Sequence, residues 1–227
     1  MGSCKKQTLK LYRKYPASEH TVEVAHRIVG GKIQASNRAD FSDAVTVYTI
    51  SLYGTESGEI EPNGLDNTYR YWRYHTSEEG FCNIAELIFF QGNTDITGQG
   101  KIIGTKGSWG NRKNNGLEAV FDNDPLTFFD SLDPSKSWVG MDFGKPVQID
   151  RIIYVPRSDG NCVTYGDEYE LKYWDNDEWN SLGRKTAEHI YVEYENCPSN
   201  ALFLLHDCTR GREDRIFTYE NGGQVWW

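Results

Sequence analysis

At 227 residues the chain is long enough to bury one large core or two small ones without metals or crosslinks. A formal net charge of −9 and a pI near 5.1 argue against a polyanionic partner, because binding of DNA or RNA depends on clustered Lys and Arg. No run approaches the roughly 18 apolar residues of a membrane span, and the 14 Tyr, 7 Trp and 22 Gly favour short strands and tight turns over helices.

The opening Met1-Gly2-Ser3-Cys4-Lys5-Lys6 shows no intact signal peptide. Cys4 fits two readings equally: the lipid-carrying residue of a mature surface lipoprotein, or an ordinary exposed cysteine. Residues 17–31 predict the one helix, with Ser18 as N-cap, Val22, Ala25, Ile28 and Val29 on one side, and Gly30 and Gly31 at its end. Beyond it, 45–50, 69–75 and 85–90 read as strands by short apolar runs or period two. The polar, glycine-rich stretch 91–100 then reads as a linker between domains.

Strand signals resume at 138–143, 149–155, 169–174, 189–194, 201–205 and 215–219, separated by turns such as Ser158-Asp159-Gly160-Asn161 and Glu220-Asn221-Gly222-Gly223. Many short strands without βα alternation predict an all-β antiparallel sandwich. A weak internal repeat relates Gly31–Ser36 to Gly100–Thr105, and the pair Arg73–His75 with Ile84–Glu86 to Leu204–His206 with Ile216–Thr218. The expected organisation is an N-terminal extension (1–30), an abbreviated sandwich unit (31–92) and a full sandwich (100–227). Five cysteines, at 4, 82, 162, 197 and 208, show no metal-ligand spacing, and a Cys197–Cys208 bridge stays open. The terminal Trp226-Trp227 pair reads as an aromatic platform or a packed strand end.

Three ordered segments carry a resemblance: Gly116–Phe129 with its Asp122-Asn123-Asp124-Pro125 turn, Trp138-Val139-Gly140-Met141-Asp142-Phe143-Gly144, and Val147–Ile152 running on to Pro156-Arg157. With Tyr169–Trp174 and Glu178–Gly183 as an edge hairpin, this series resembles the discoidin-like or coagulation-factor type C family over most of 100–227. Tyr69–Tyr74 with Asn83–Leu87 resembles that family's closing strands. The resemblance implies a galactose-binding-like jelly-roll β-sandwich, here preceded by the smaller, abbreviated unit with its short helix.

Asp122, Asp124 and Thr127 crowd three oxygen-bearing side chains into six residues, as a hard cation such as calcium requires; a hydrogen-bonded Asp-Pro turn reads equally well. By resemblance the turn, including the Ala119 carbonyl, holds a structural calcium helped by a glutamate of the closing strand. Thr218 stands where that glutamate is expected. Glu86 is expected in a second, weaker site with Asn37, Asp40 and Asp43.

Ligand contacts are expected, again by resemblance, on loops at one end of the sandwich: Trp109, Asn111, Arg112, Lys136, Arg157, Asn161 and Tyr165. An aromatic ring there covers a sugar's apolar face while fixed polar groups select hydroxyls. Each has a structural alternative, Trp109 as a core cap, Arg157 as partner of a carboxylate and Tyr165 as a turn closer. Catalysis finds no motif: His20, His26, His75, His189 and His206 lack metal spacing, and neither a nucleophile elbow nor a phosphate loop occurs. A glycosidase-type carboxylate pair stays open.

The leading expectation is a non-catalytic carbohydrate-binding module, extracytoplasmic and attached to a larger surface protein, with a glycan or glycoconjugate as partner. The rival is a structural or protein-interaction spacer without a ligand site.

Overall fold

A computed structural model describes residues 5–51, 56–62, 68–211 and 214–227. Cys4 lies outside them. Strands account for 46% of residues and all the sheets are antiparallel, as a discoidin-like β-sandwich requires. Two compact units form. A central unit takes Ser18–Gly160, and a terminal unit takes the chain up to Ala17 together with Asn161–Trp227.

The central unit opens with helix α1 (Glu19–His26), capped by the Ser18 side chain, which accepts the Thr21 amide at 3.1 Å. Val24, Ala25 and Ile28 are buried, whereas Val22, expected on the same side, is half exposed. Gly30, at φ 84°, turns the chain out of the helical segment. The strands follow as β2 (Lys32–Ser36), β3 (Val45–Thr49), β4 (Gly58–Ile60), β5 (Thr68–His75), β6 (Ile84–Gln91), β7 (Thr94–Asp95), β8 (Lys101–Gly104), β9 (Trp138–Gln148) and β10 (Arg151–Pro156). They form a five-stranded sheet in the order β3-β2-β5-β9-β8 and a four-stranded sheet in the order β4-β10-β6-β7.

Period two explains the first sheet. Ile33 and Ala35 of β2, Trp72 and Tyr74 of β5, and Val139 and Met141 of β9 turn inward to meet Ile84, Leu87 and Phe89 of β6 and Ile152 of β10. β6 is different, being buried on both faces from Ile84 to Phe90. That is why its sequence is a continuous apolar run interrupted by one acid, Glu86.

The stretch 91–100, expected to link two domains, lies inside the central unit. Phe90 pairs with Asp95 and Gln91 with Thr94 across a tight turn at Gly92, and the Phe89 amide donates to Thr97 Oγ1 at 2.9 Å. Polar groups that read as a linker are instead spent on turn hydrogen bonds. The divisions 31–92 and 100–227 therefore do not coincide with the compact units, which interleave the chain: β5 and β6, read as closing strands of a first unit, pair with β9 and β10 of the second.

The terminal unit contains β1 (Lys6–Leu11), β11 (Glu168–Asp175), β12 (Glu178–Thr186), β13 (Val192–Pro198), β14 (Phe203–Asp207), β15 (Ile216–Glu220) and β16 (Gly223–Trp226). β1 pairs with β13, and the others follow the order β12-β11-β14-β15-β16. Leu9, Leu11, Tyr169, Leu171, Phe203, Leu205 and Phe217 form its core. Trp226 packs against Phe217 with ring centroids 5.1 Å apart, while Trp227 stays exposed. Cys197 and Cys208 are both free thiols, so no bridge joins them.

A buried ion network completes this unit. Lys14 Nζ lies 3.2 Å from Asp207 Oδ2, each side chain being 1% exposed. Asp207 Oδ1 also accepts the amides of Thr209 and Arg210 at 3.1 and 2.9 Å, and the Arg210 guanidinium bonds the buried Asp167.

Candidate functional site

One end of the central sandwich is tied together by Asn83, a fully buried residue just before β6. Its Nδ2 donates to Asp130 Oδ1 at 2.9 Å, its Oδ1 accepts from Arg27 Nη1 at 3.0 Å, and its carbonyl accepts the Arg157 amide at 3.2 Å. Asp130 in turn accepts the Trp109 amide on its carbonyl at 2.7 Å. Trp109 and Arg157, expected at the same end, are thus joined through one asparagine. Sequence reading passed over Asn83, because a polar residue at the head of an apolar strand gives no signal of what it will bind.

Trp109 opens a single 3-10 turn, Trp109–Asn111, in which Gly110 and Asn111 take φ of 67° and 51°. Those are conformations that glycine adopts freely and asparagine tolerates. The turn directs the indole outward, leaving Trp109 61% exposed. Asn111, Arg112 and Lys136 are exposed as well. Arg157 is less available: Nε donates to Asp159 Oδ1 at 3.4 Å, the guanidinium lies 4.1 Å over the Phe128 ring, and the side chain is 19% exposed. Asn161 and Tyr165 belong to the terminal unit. There Asn161 is buried, its Oδ1 accepting the Tyr15 amide at 3.3 Å, so its side chain is not a loop-tip contact. Tyr165 is half-buried.

The Asp122–Thr127 turn gathers oxygens. Thr127 Oγ1 lies 2.8 and 3.0 Å from the two Asp122 carboxylate oxygens, 3.1 Å from the Asp124 carbonyl and 3.3 Å from the Ala119 carbonyl. A hydroxyl has one proton to donate, so most of these contacts set oxygen against oxygen. Asp124 Oδ1 accepts the Leu126 amide at 3.2 Å and is committed to the turn.

Beside this turn stands Glu86 of β6, and not Thr218. Glu86 is 2% exposed, its Oε1 has no hydrogen-bond partner, and its carboxyl is pushed well above the ordinary range by burial and then by the Asp122 charge, with the Asn123 and Asp124 amides pulling it back. Thr218 lies in the terminal unit, where its hydroxyl donates to Glu220 and accepts from Trp227 Nε1. The partners expected for Glu86 are occupied elsewhere: Asn37 accepts the Arg70 amide, Asp40 pairs with Arg38, and Asp43 accepts from Ser36.

An orphaned buried carboxylate oxygen beside a second carboxylate, two carbonyls and a hydroxyl is a donor set that fits a hard cation seeking roughly six to eight oxygens. No metal-binding group of three or more His, Cys, Asp or Glu side chains occurs among the described residues. An all-oxygen set is of the kind calcium takes, whereas zinc favours His and Cys.

Residues 104–201 match the family model described as F5/8 type C domain. The chain carries a discoidin-like segment running from the last residue of β8 to just past β13 and taking in parts of both compact units. Domains of this family are generally non-catalytic binding modules and typically occur in extracellular proteins. No helix among the described residues is long and apolar enough to cross a membrane. Neither the curated proteins nor the solved structures give a match to the chain.

Proposed function

We propose that the protein is a carbohydrate-binding module that attaches a surface or secreted protein to glycans through the end of its central sandwich. The exposed Trp109 ring carries this reading, because its backbone is fixed to the buried Asn83–Asp130 frame and the ring pays little ordering entropy when a sugar stacks on it. Asn111, Arg112 and Lys136 supply hydroxyl contacts at its side. Arg157, already engaged by Asp159 and Phe128, braces the frame. The site is shallow, so binding is expected on the order of 0.1 to 1 mM.

Titration of the full chain across a neutral glycan panel tests the reading. Trp109→Ala is expected to abolish binding at an unchanged melting temperature. No binding by the intact protein at millimolar glycan would favour the spacer.

A structural calcium belongs to the same proposal, held by Glu86, Asp122, Thr127 and the carbonyls of Ala119 and Asp124. Bound there it neutralises the buried carboxylates and pins the turn. Chelation is expected to lower the melting temperature of the wild type and to leave Asp122→Ala unmoved. Identical wild-type curves with and without chelator at matched ionic strength would remove the metal.

A further inference from the structure

The outer face of the five-stranded sheet holds charges that the loop end does not use. On β2 and β5, Lys32 and Gln34 stand opposite His75 and Arg73, and on β9 Trp138 and Gly140 continue the same two rows. Their neighbours Ile33, Trp72, Tyr74 and Val139 point into the core, so these six share the solvent side. In a chain of net charge −9 this is a local concentration of base. Like charges side by side on a sheet face are destabilising unless something offsets them.

Arg73 is held in a fixed plane. Its guanidinium lies 3.9 Å over the Phe41 ring and 5.2 Å from the Trp138 ring, and Nε donates to Gln34 Oε1 at 2.9 Å. Phe41 reaches this position with φ at 55°, a conformation uncommon outside glycine. Gly140, paired with Arg73, lays no side chain beside it. Among the described residues no carboxylate bonds Arg73 or Lys32; the nearby acid of β9, Asp142, is taken by Arg70 through bonds of 2.7 and 2.9 Å. Burial pulls the Arg73 guanidinium down to about 10, and His75 is lowered by burial, with Arg73 and Lys32 adding to the effect. A half-buried guanidinium with its terminal nitrogens open is a pre-aligned receptor for a planar oxyanion.

We propose that this face binds the carboxylate of an acidic sugar, with the open edge of Arg73 taking both oxygens, Lys32 as the second cation, and the half-exposed Trp138 indole against the sugar ring. The aromatic neighbour favours a sugar acid over an isolated inorganic anion. The sugar part rests on the carbohydrate reading above; the oxyanion contact does not.

Glucuronate and glucose, titrated separately into the full chain at constant ionic strength with tryptophan fluorescence or amide chemical shifts as readout, test it. Glucuronate is expected to bind at least about tenfold more tightly, a difference of about 1.4 kcal/mol. Arg73→Gln should erase that preference, Arg73→Lys should keep the charge yet lose most of it, and Trp109→Ala should leave it intact. Equal binding of the two sugars overturns the proposal, as does a preference that survives in both Arg73 variants. Should Arg73→Gln unfold, Arg73→Lys and Lys32→Gln decide the same question. Glucuronate capture without any neutral-glycan binding would sink the loop-end reading alone; neutral binding without glucuronate preference would sink this one alone.

Discussion

The two compact units treat buried charge in opposite ways. In the terminal unit each deeply buried carboxylate has a cation from its own chain, Lys14 for Asp207 and Arg210 for Asp167. In the central unit Glu86 is equally buried, yet it faces the Asp122 carboxylate and backbone amides with no cation, and among the described residues Arg73 on the sheet face bonds no acid. A buried charge is costly unless paired. The first arrangement is neutral once folded; in the second Glu86 is driven toward its protonated form, and under the readings proposed above a calcium ion and an oxyanion complete the charge balance, so that binding and stability are linked there.

The hardest test of that contrast is Lys14→Met. Removing the internal cation leaves Asp207 buried and alone, and chemical denaturation is expected to show a loss of about 3 to 5 kcal/mol. Calcium in the buffer should not restore it.

Glu86→Gln should behave in the reverse sense. In chelator the amide can donate to Asp122 where two carboxylates repelled, so the melting temperature should hold or rise. In calcium the variant should forgo the increment that the wild type gains, about 2.7 kcal/mol at a hundredfold excess over Kd. A Glu86→Gln variant as calcium-stabilised as the wild type would dissolve the distinction between the units.

A smaller effect follows pH. His75 is lowered in the folded state, mainly by burial, so the folded protein binds the proton less readily than the unfolded chain. Its contribution is fully present above the unfolded value of about 6.5 and is lost as pH falls through the lowered folded value. Glu86 is shifted the other way, favouring the protonated fold, and runs against this trend. The difference between wild type and His75→Gln isolates the histidine: their melting temperatures should diverge between about pH 7 and 5, and the gap should narrow when glucuronate occupies the face. The smallest expected change is Trp109→Ala, within about 0.5 kcal/mol in stability, because the exposed ring packs on little.

Local pattern made much of the fold legible. The Ser18 cap and the Gly30 stop located α1, and alternation in 69–75 located β5. β1 went unread because Lys-Gln-Thr-Leu-Lys-Leu has only Leu9 and Leu11 to mark its inner face, and those need β13 to show their purpose. Pairing across long sequence distances was the harder matter. The oxygen-rich turn is legible as Asp122, Asp124 and Thr127, but the family resemblance places its glutamate in the closing strand, at Thr218. The sheet brought β6 instead, beside β10, and with it Glu86. Arg73 likewise gave no sign in sequence, since its value lies in the cross-strand neighbours Gln34 and Gly140 and in Phe41 folding back over it.

The pairing of β1 with β13 sets an order of assembly during synthesis. Leu11 meets Val192, so β1 must wait until the roughly 180 residues that separate the two have been synthesised. At roughly 5 to 20 residues per second that interval is on the order of ten seconds or longer. The central unit, contiguous from Ser18 to Gly160, has all its strands available before β13 is made. The equilibrium penalty for closing so long a loop is modest, since each doubling costs only about 0.6 kcal/mol. The kinetic exposure is not, for an unpaired strand carrying Leu9 and Leu11 is a ready edge for other chains. Lys6 and Lys10, alternating with those leucines, place charge along the waiting strand, which disfavours pairing with other chains.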